Sequence, residues 1–334
     1  MHPIVNKRSP ATCSATVRLA FASIAVVLSL LFSAPVQSLC NAQEKSKQEQ
    51  RHQNDDDPLR LHSDLVVVNL VVTDAEGQYA RGLSAKDFTV VEDNAAQAIS
   101  DFVAEEASFA AAILIDMSGS MQYKFSLVRA AAASFVDNIR DNDQVAVYGF
   151  NNKVKLFQEF SDVRDITEYI WDAKAEDSTR LYDCADEAIT ALEKRPERRK
   201  AILLISDGCD TTSSKSFDAV MKRALALGVT IYTIDLIDDM LRMGSGNEVL
   251  VLRRGQSEMK EFASQTGGRY VHTPQGDKLE SAFTGIVDEL RNQYTLTYYS
   301  TNQKRDGRWR KLSVGVGRQG LTTRARKGYW APKS

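Results

Sequence analysis

Hydrophobic and polar positions divide the chain into three stretches of different period. The stretch DLVVVNLVVTDAEGQ is apolar and β-branched and stops at an Asp-Ala-Glu-Gly turn. FTVVED (88–93) and QAISDFV (97–103) flank an Asp-Asn turn, so residues 62–106 read as a small all-β segment. From residue 109 strands alternate with helices. FAAAILID is a strand and KFSLVRAAAASFVDNI (124–139) an amphipathic helix; QVAVYGF (144–150) is a strand, followed by helices over 162–173 and 181–194. AILLIS (201–206) is a strand, SFDAVMKRALALG (216–228) a helix closed by Gly228, and VTIYTIDL (229–236) a strand. A helix over 255–266 ends at Gly267-Gly268, RYVHT is a short strand, and in the helix 277–292 Leu279, Phe283, Ile286 and Leu290 share one face. After Gln293 strands return as YTLTYYS, WRKLSVGVG and LTTRARKGYW, with a Gly-Arg turn at 307–308 that fits a hairpin.

Strands alternating with helices imply an α/β domain, residues 107–293, with a mostly parallel central sheet and helices on both faces. The β segments 62–106 and 294–331 are each too short for a two-sided core of their own. The economical architecture therefore inserts the α/β domain into one small β-sandwich built from both segments. Two independent β flaps are the alternative.

The N-terminus changes the picture of where the protein works. Lys7, Arg8 and Arg18 precede the uncharged, mostly apolar run Leu19 to Ala34, which Pro35 ends. A bilayer span needs about 20 residues, so residues 1–40 read as a signal peptide, with an uncleaved signal anchor as the alternative. Val36/Ser38 or Cys40/Ala42 would serve as the small pair at the cleavage site, and Gln37-Ser38-Leu39 lacks the small residue that a lipoprotein needs before Cys40. Residues 41–60 are polar, charged and free of aromatic side chains, a linker that cannot bury a core. The expected location is outside the cytoplasm: periplasm, cell surface or extracellular space. Membrane contact would come only through the N-terminal segment if it is not cleaved.

Composition adds exclusions. The 334 residues are 43% hydrophobic and 26% charged with a formal net charge of -2, which is ordinary globular chemistry and no nucleic-acid binder. Residues 301–334 hold ten Lys/Arg against Asp306; they read as the solvent face of strands whose Leu312, Val314 and Val316 point inward, in preference to a surface for anionic polymers. Cys13 and Cys40 belong to the leader region, which leaves Cys184 and Cys209, with no CxxC or Cys/His cluster for zinc.

The chemistry concentrates in ILIDMSGSM (113–121). In open α/β sheets ligands bind beyond the carboxyl ends of the strands. There the first α/β strand offers Asp116, Ser118 and Ser120, the loop EDSTRLYD offers Thr179, and AILLISDG offers Asp207. Two carboxylates and three hydroxyls on one rim make an all-oxygen site suited to Mg²⁺ or Mn²⁺. Hydroxyl ligands leave such an ion little compensating charge, so it accepts a further carboxylate from another molecule. A helix N-cap would need one of these side chains, not three. An EF-hand starting at Asp116 fails at Met121 and Leu127, no GxxxxGK[ST] loop occurs, and neither His62 nor His272 accompanies a GxSxG nucleophile. Metal-assisted hydrolysis would need a base that the motif does not supply.

DMSGS matches the DxSxS of the metal-ion-dependent adhesion site, and with DQVAVYGF, RLYDCADEA and SQTGGRYV the chain resembles a von Willebrand factor A (VWA) domain over roughly 109–292. DLVVVNLVVTDAEGQ, LSAKDFTVVED, DGRWRKLSVGV and RARKGYWAP are similar to strands of exported bacterial VWFA-related proteins of the acidobacterial type. The resemblance implies a Rossmann-like fold, with Asp116, Ser118 and Ser120 in a first metal loop, Thr179 in a second and Asp207 in a third. It implies a non-enzymatic module that binds an Asp or Glu of a protein partner through Mg²⁺ or Mn²⁺. The alternative is a structural cell-envelope protein whose metal only stabilises the loops. Other VWA domains couple binding to a shift of the last helix, here 277–292, which leads directly into the flanking β segment. Sharing a metal would bring Cys184, about one turn past Thr179, and Cys209, two residues past Asp207, near bridging distance. A Cys184–Cys209 disulfide or two free thiols are then the alternatives.

Overall fold

The structure, a computed structural model, describes residues 65–104, 106–162, 178–273 and 278–333. The leader and linker expected over 1–60, with Cys13 and Cys40, and the body of the helix expected over 162–173 lie outside the described residues.

Six strands form the central sheet: β5 (Phe109–Asp116), β6 (Gln144–Phe150), β7 (Val154–Ser161), β8 (Arg199–Ser206), β9 (Val229–Asp235) and β10 (Tyr270–His272), in the order β10-β9-β8-β5-β6-β7. All neighbours are parallel except β6 and β7. Every residue of β5 and β9 is buried, because both faces of the sheet are covered and the strands are mostly apolar, with Asp116 and Asp235 at their carboxyl ends. Ile113 and Ile115 point to the face packed by Val128, Ala132 and Phe135 of α1 (Phe125–Asp137) and by Phe283, Ile286 and Leu290 of α5 (Leu279–Arg291). Ala112 and Leu114 point to the opposite face, covered by α2 (Leu181–Glu193), α3 (Phe217–Leu227) and α4 (Asn247–Thr266). Gly228 closes α3 at φ +67, where glycine has no Cβ to clash.

The remaining strands form two four-stranded antiparallel sheets. One has the order β13-β1-β11-β4, from Thr322–Ala325, Leu65–Thr73, Tyr294–Tyr299 and Ile99–Val103. The other has β14-β12-β2-β3, from Gly328–Trp330, Trp309–Val316, Phe88–Glu92 and Ala95–Gln97. Each sheet takes two strands from either side of the α/β region. Their inner faces meet through Phe88 and Tyr294, whose rings lie 5.4 Å apart, and around Glu92. That buried carboxylate accepts from Tyr298 at 2.6 Å, Tyr329 at 2.9 Å and Ser300 at 2.6 Å.

The hairpin expected around residues 307–308 is not formed: β11 and β12 belong to different sheets. β11 is buried along nearly its whole length and is paired on both edges, by β1 and β4, so it has no edge for β12. β12 alternates buried and exposed residues and pairs instead with β2 and β14. The expected strand 97–103 is split, and β7 was not expected at all. The positive φ angles at Asp93 and Asn94 belong to the Asp-Asn turn between β2 and β3.

Candidate metal centre

β5, β8 and β9 are adjacent and parallel, so their carboxyl ends form one rim. Asp116 ends β5, fully buried, with Met117 N–H donating to Phe150 O at 2.8 Å as the chain leaves the sheet. One Asp116 oxygen accepts Ser118 N–H at 2.9 Å and the other accepts the Ser206 hydroxyl at 2.5 Å. Ser118 and Ser120 hydroxyls lie 3.0 Å apart, and Ser120 donates to Asp207 at 2.6 Å. The other Asp207 oxygen accepts Cys209 N–H at 2.9 Å. Four of the five residues singled out in the sequence are thus linked by side-chain hydrogen bonds.

Thr179 reaches the same loop through its backbone. Its N–H donates to Thr211 Oγ1 at 2.8 Å, and its carbonyl accepts from Thr211 and Thr212 N–H at 3.0 and 3.1 Å. Asp183, at the start of α2, accepts Ser214 and Lys215 N–H at 3.0 Å, and Asp210 accepts Tyr182 N–H at 3.3 Å. The loop after β8 is therefore fastened to the head of α2 beside Thr179.

Burial first, and the nearby charge of Asp207 second, push the Asp116 carboxyl up to about 7 against the hydrogen bonds of Ser118 and Ser206. Two buried carboxylates that repel one another, ringed by hydroxyls, fit a hard divalent cation better than they fit each other. Sequence reasoning missed Ser206, which holds Asp116 in place; its only signal is a hydroxyl at the end of an apolar strand. It also missed Asp235, which ends β9 fully buried, pairs with Arg242 at 2.8 Å and accepts the Tyr270 hydroxyl at 2.5 Å.

Cys184 and Cys209 are free thiols in this structure, the second of the two alternatives above. Cys184 lies on the inward face of α2 within the apolar core, while the Cys209 thiol is hydrogen-bonded to Asp207. Each sulfur faces a different surrounding, and burial raises the pKa of both.

Residues 112–284 match the family model of the von Willebrand factor type A domain. The chain belongs to that family. VWA domains commonly mediate protein–protein interaction, typically without enzymatic activity, and bind a divalent metal at the adhesion site. No curated protein matches the chain in sequence. Among solved structures it is similar to a von Willebrand factor type A protein from Catenulispora acidiphila, at 13% identity and a TM-score of 0.46, covering 82% of this chain and 75% of that one. It is also similar to proximal thread matrix protein 1 of the mussel byssus, at 20% identity and a TM-score of 0.47, covering 60% of this chain and 51% of that one. Another structure of that mussel protein, with zinc occupying its MIDAS motif, is 19% identical with a TM-score of 0.46, over 60% of this chain and 50% of that one.

Proposed function

We propose that Asp116, Ser118, Ser120, Thr179 and Asp207 of this VWA protein hold Mg²⁺ or Mn²⁺, and that the protein is an exported, non-enzymatic binding module. In this reading an Asp or Glu of a protein partner completes the coordination of the ion, in the periplasm, at the cell surface or outside the cell. The bound cation supplies a Lewis-acidic position for that carboxylate. Asp116 and Asp207 supply its charge compensation, and the hydroxyls orient it. The observation that carries the reading is the hydrogen-bonded chain from Ser118 through Ser120 to Asp207 beside the buried Asp116.

The alternative, a structural envelope protein whose metal only staples loops, is less well supported. The loop after β8 is already fastened by Asp183 and Asp210, so stapling needs no ion. We further propose that residues 107–293 are one domain inserted into a sandwich of 62–106 and 294–331. The mixed origin of the strands in both outer sheets supports this.

A thermal melt of the full chain in EDTA, Mg²⁺ or Mn²⁺ tests the site. A native-state ligand at a hundredfold excess over Kd adds about 2.7 kcal/mol. The expected result is a metal-dependent rise in Tm that Asp207→Ala removes; no rise in the wild-type protein overturns the reading.

A further inference from the structure

Ten large apolar side chains are exposed among the described residues, and five of them fall within one twelve-residue stretch. Met240, Leu241 and Met243 are 77, 58 and 72% exposed, and Leu250 and Val251 are 61 and 48% exposed. Tyr123, three residues past Ser120, is 92% exposed. The stretch is held in position. Asp238 accepts Met240 N–H at 2.9 Å and caps the 3-10 turn Asp239–Arg242. Arg242 turns inward to Asp235, which leaves its neighbours Leu241 and Met243 facing solvent. Arg253 of α4 ties the loop back by donating to Arg242 O at 3.0 Å and Gly244 O at 3.4 Å. A soluble surface gathers large apolar groups in one place where something covers them.

This surface borders the candidate metal centre. β9 lies one strand beyond β8 and two beyond β5, so Asp235 stands about 10 Å from Asp116 at ordinary strand spacing. The 3-10 turn begins four residues after Asp235. α4 packs directly on the metal loop: a Cβ at Gly255 would stand 2.6 Å from Gly208 O. Leu250 and Val251 lie about one turn before that contact. Between the two areas Lys124 lies within the electrostatic reach of Asp235, Asp238 and Asp207.

We infer that the partner is an extended acidic-apolar segment, in which one Asp or Glu is accompanied, about three to five residues away, by large aliphatic or aromatic side chains that seat on Met240, Leu241, Met243, Leu250 and Tyr123. An extended chain rises about 3.3 Å per residue, so that spacing covers the distance from the rim to the surface. The inference rests on the metal-centre reading, since the carboxylate complements the charge of the cation. Methionine-rich surfaces accommodate apolar side chains of several shapes, so the spacing is specified more closely than the identity of the apolar residue.

The test uses the full chain with Mn²⁺ and fluorescein-labelled peptides, read by anisotropy. One peptide carries a single Glu in a Gly/Ser background; a second adds Leu and Phe at the stated spacing; a third replaces Glu by Gln in the second. The second should bind at least tenfold more tightly than the first, and EDTA or the Glu-to-Gln change should abolish its binding. The variant Met240→Ser/Met243→Ser/Leu250→Ser, altered only at exposed positions, should lose the tenfold gain while keeping the metal-induced rise in Tm. Equal affinity for the first two peptides, or a gain that survives in the triple variant, overturns the inference and leaves the metal reading standing. Binding of the second peptide that survives EDTA, with no metal-induced rise in Tm, overturns both. A wild-type dimer that the triple variant converts to monomer in sedimentation assigns the surface to a second copy and overturns the inference.

Discussion

At Asp116 two conditions meet: the carboxylate is buried at the end of a core strand and lies near enough to Asp207 to feel its charge. Its pKa is raised from the ordinary 3.8 to about 7, by burial first and Asp207 second. Between those values the folded chain binds more protons than the unfolded chain, so stability falls as pH rises. In EDTA the stability of the wild-type protein relative to Asp116→Asn should therefore be greatest below about pH 4 and decline through about pH 7. Saturating Mg²⁺ should reverse the trend near pH 7, because the ion competes with the proton for the same oxygens. Melting curves across that range check it, and a flat difference between the two proteins would refute it. Asp116, Ser118, Ser120 and Asp207 were legible because each stands at or just past the end of an apolar run. Ser206 was not, although it too ends an apolar run: only the neighbouring strand shows that its hydroxyl faces Asp116.

Among the elements, β5, β8 and β9 were plain because strands buried on both faces read as near-continuous apolar runs. β7 is an edge strand with a single buried residue and an irregular register, so its sequence carries little period. α4 begins at Asn247, well before the expected 255, because its first turns expose Leu250 and Val251 and pack no regular apolar face. Gly255 shows an element constrained by its neighbour. Alanine in a helix ordinarily stabilises relative to glycine by about 0.5–1 kcal/mol. Here its Cβ would meet the Gly208 backbone, and Gly208 itself holds φ +84 next to Asp207. Gly255→Ala should instead destabilise the protein by about 1–3 kcal/mol and reduce the metal-induced rise in Tm, since relief requires moving the metal loop. Denaturant unfolding with and without Mg²⁺ measures both effects; a more stable variant with an undiminished metal response would show that the packing yields freely.

At the scale of the whole molecule, Arg199 joins the places where the chain enters and leaves the α/β region. This buried guanidinium donates to the carbonyls of Ala104 and Ala107 on the way in, and of Leu290 at 3.3 Å and Gln293 at 2.6 Å on the way out. Leaving buried carbonyl acceptors unsatisfied costs about 1–3 kcal/mol. Arg199→Met should lose about that much by chemical denaturation; a loss below about 1 kcal/mol would mean that the carbonyls find other donors. α5 runs through the same junction into β11, the strand paired on both sides within one outer sheet. A helix shift on partner binding, proposed by resemblance to other VWA domains, would have to pass this clamp. Hydrogen exchange at Leu290–Tyr294 with and without metal and partner would detect it.

The sequence by itself determined the alternating α/β core, its buried strands and the oxygen-rich loops, because burial on two faces and the ends of apolar runs leave their mark residue by residue. Only the tertiary structure decided that β11 and β12 part into different sheets, that Cys184 lies in the apolar core while Cys209 meets Asp207, that Ser206 holds Asp116, and that the exposed 240–251 surface borders the candidate metal centre. These are matters of which segments stand side by side, and the periodicity of one segment depends on how much of it is buried, not on which neighbour buries it.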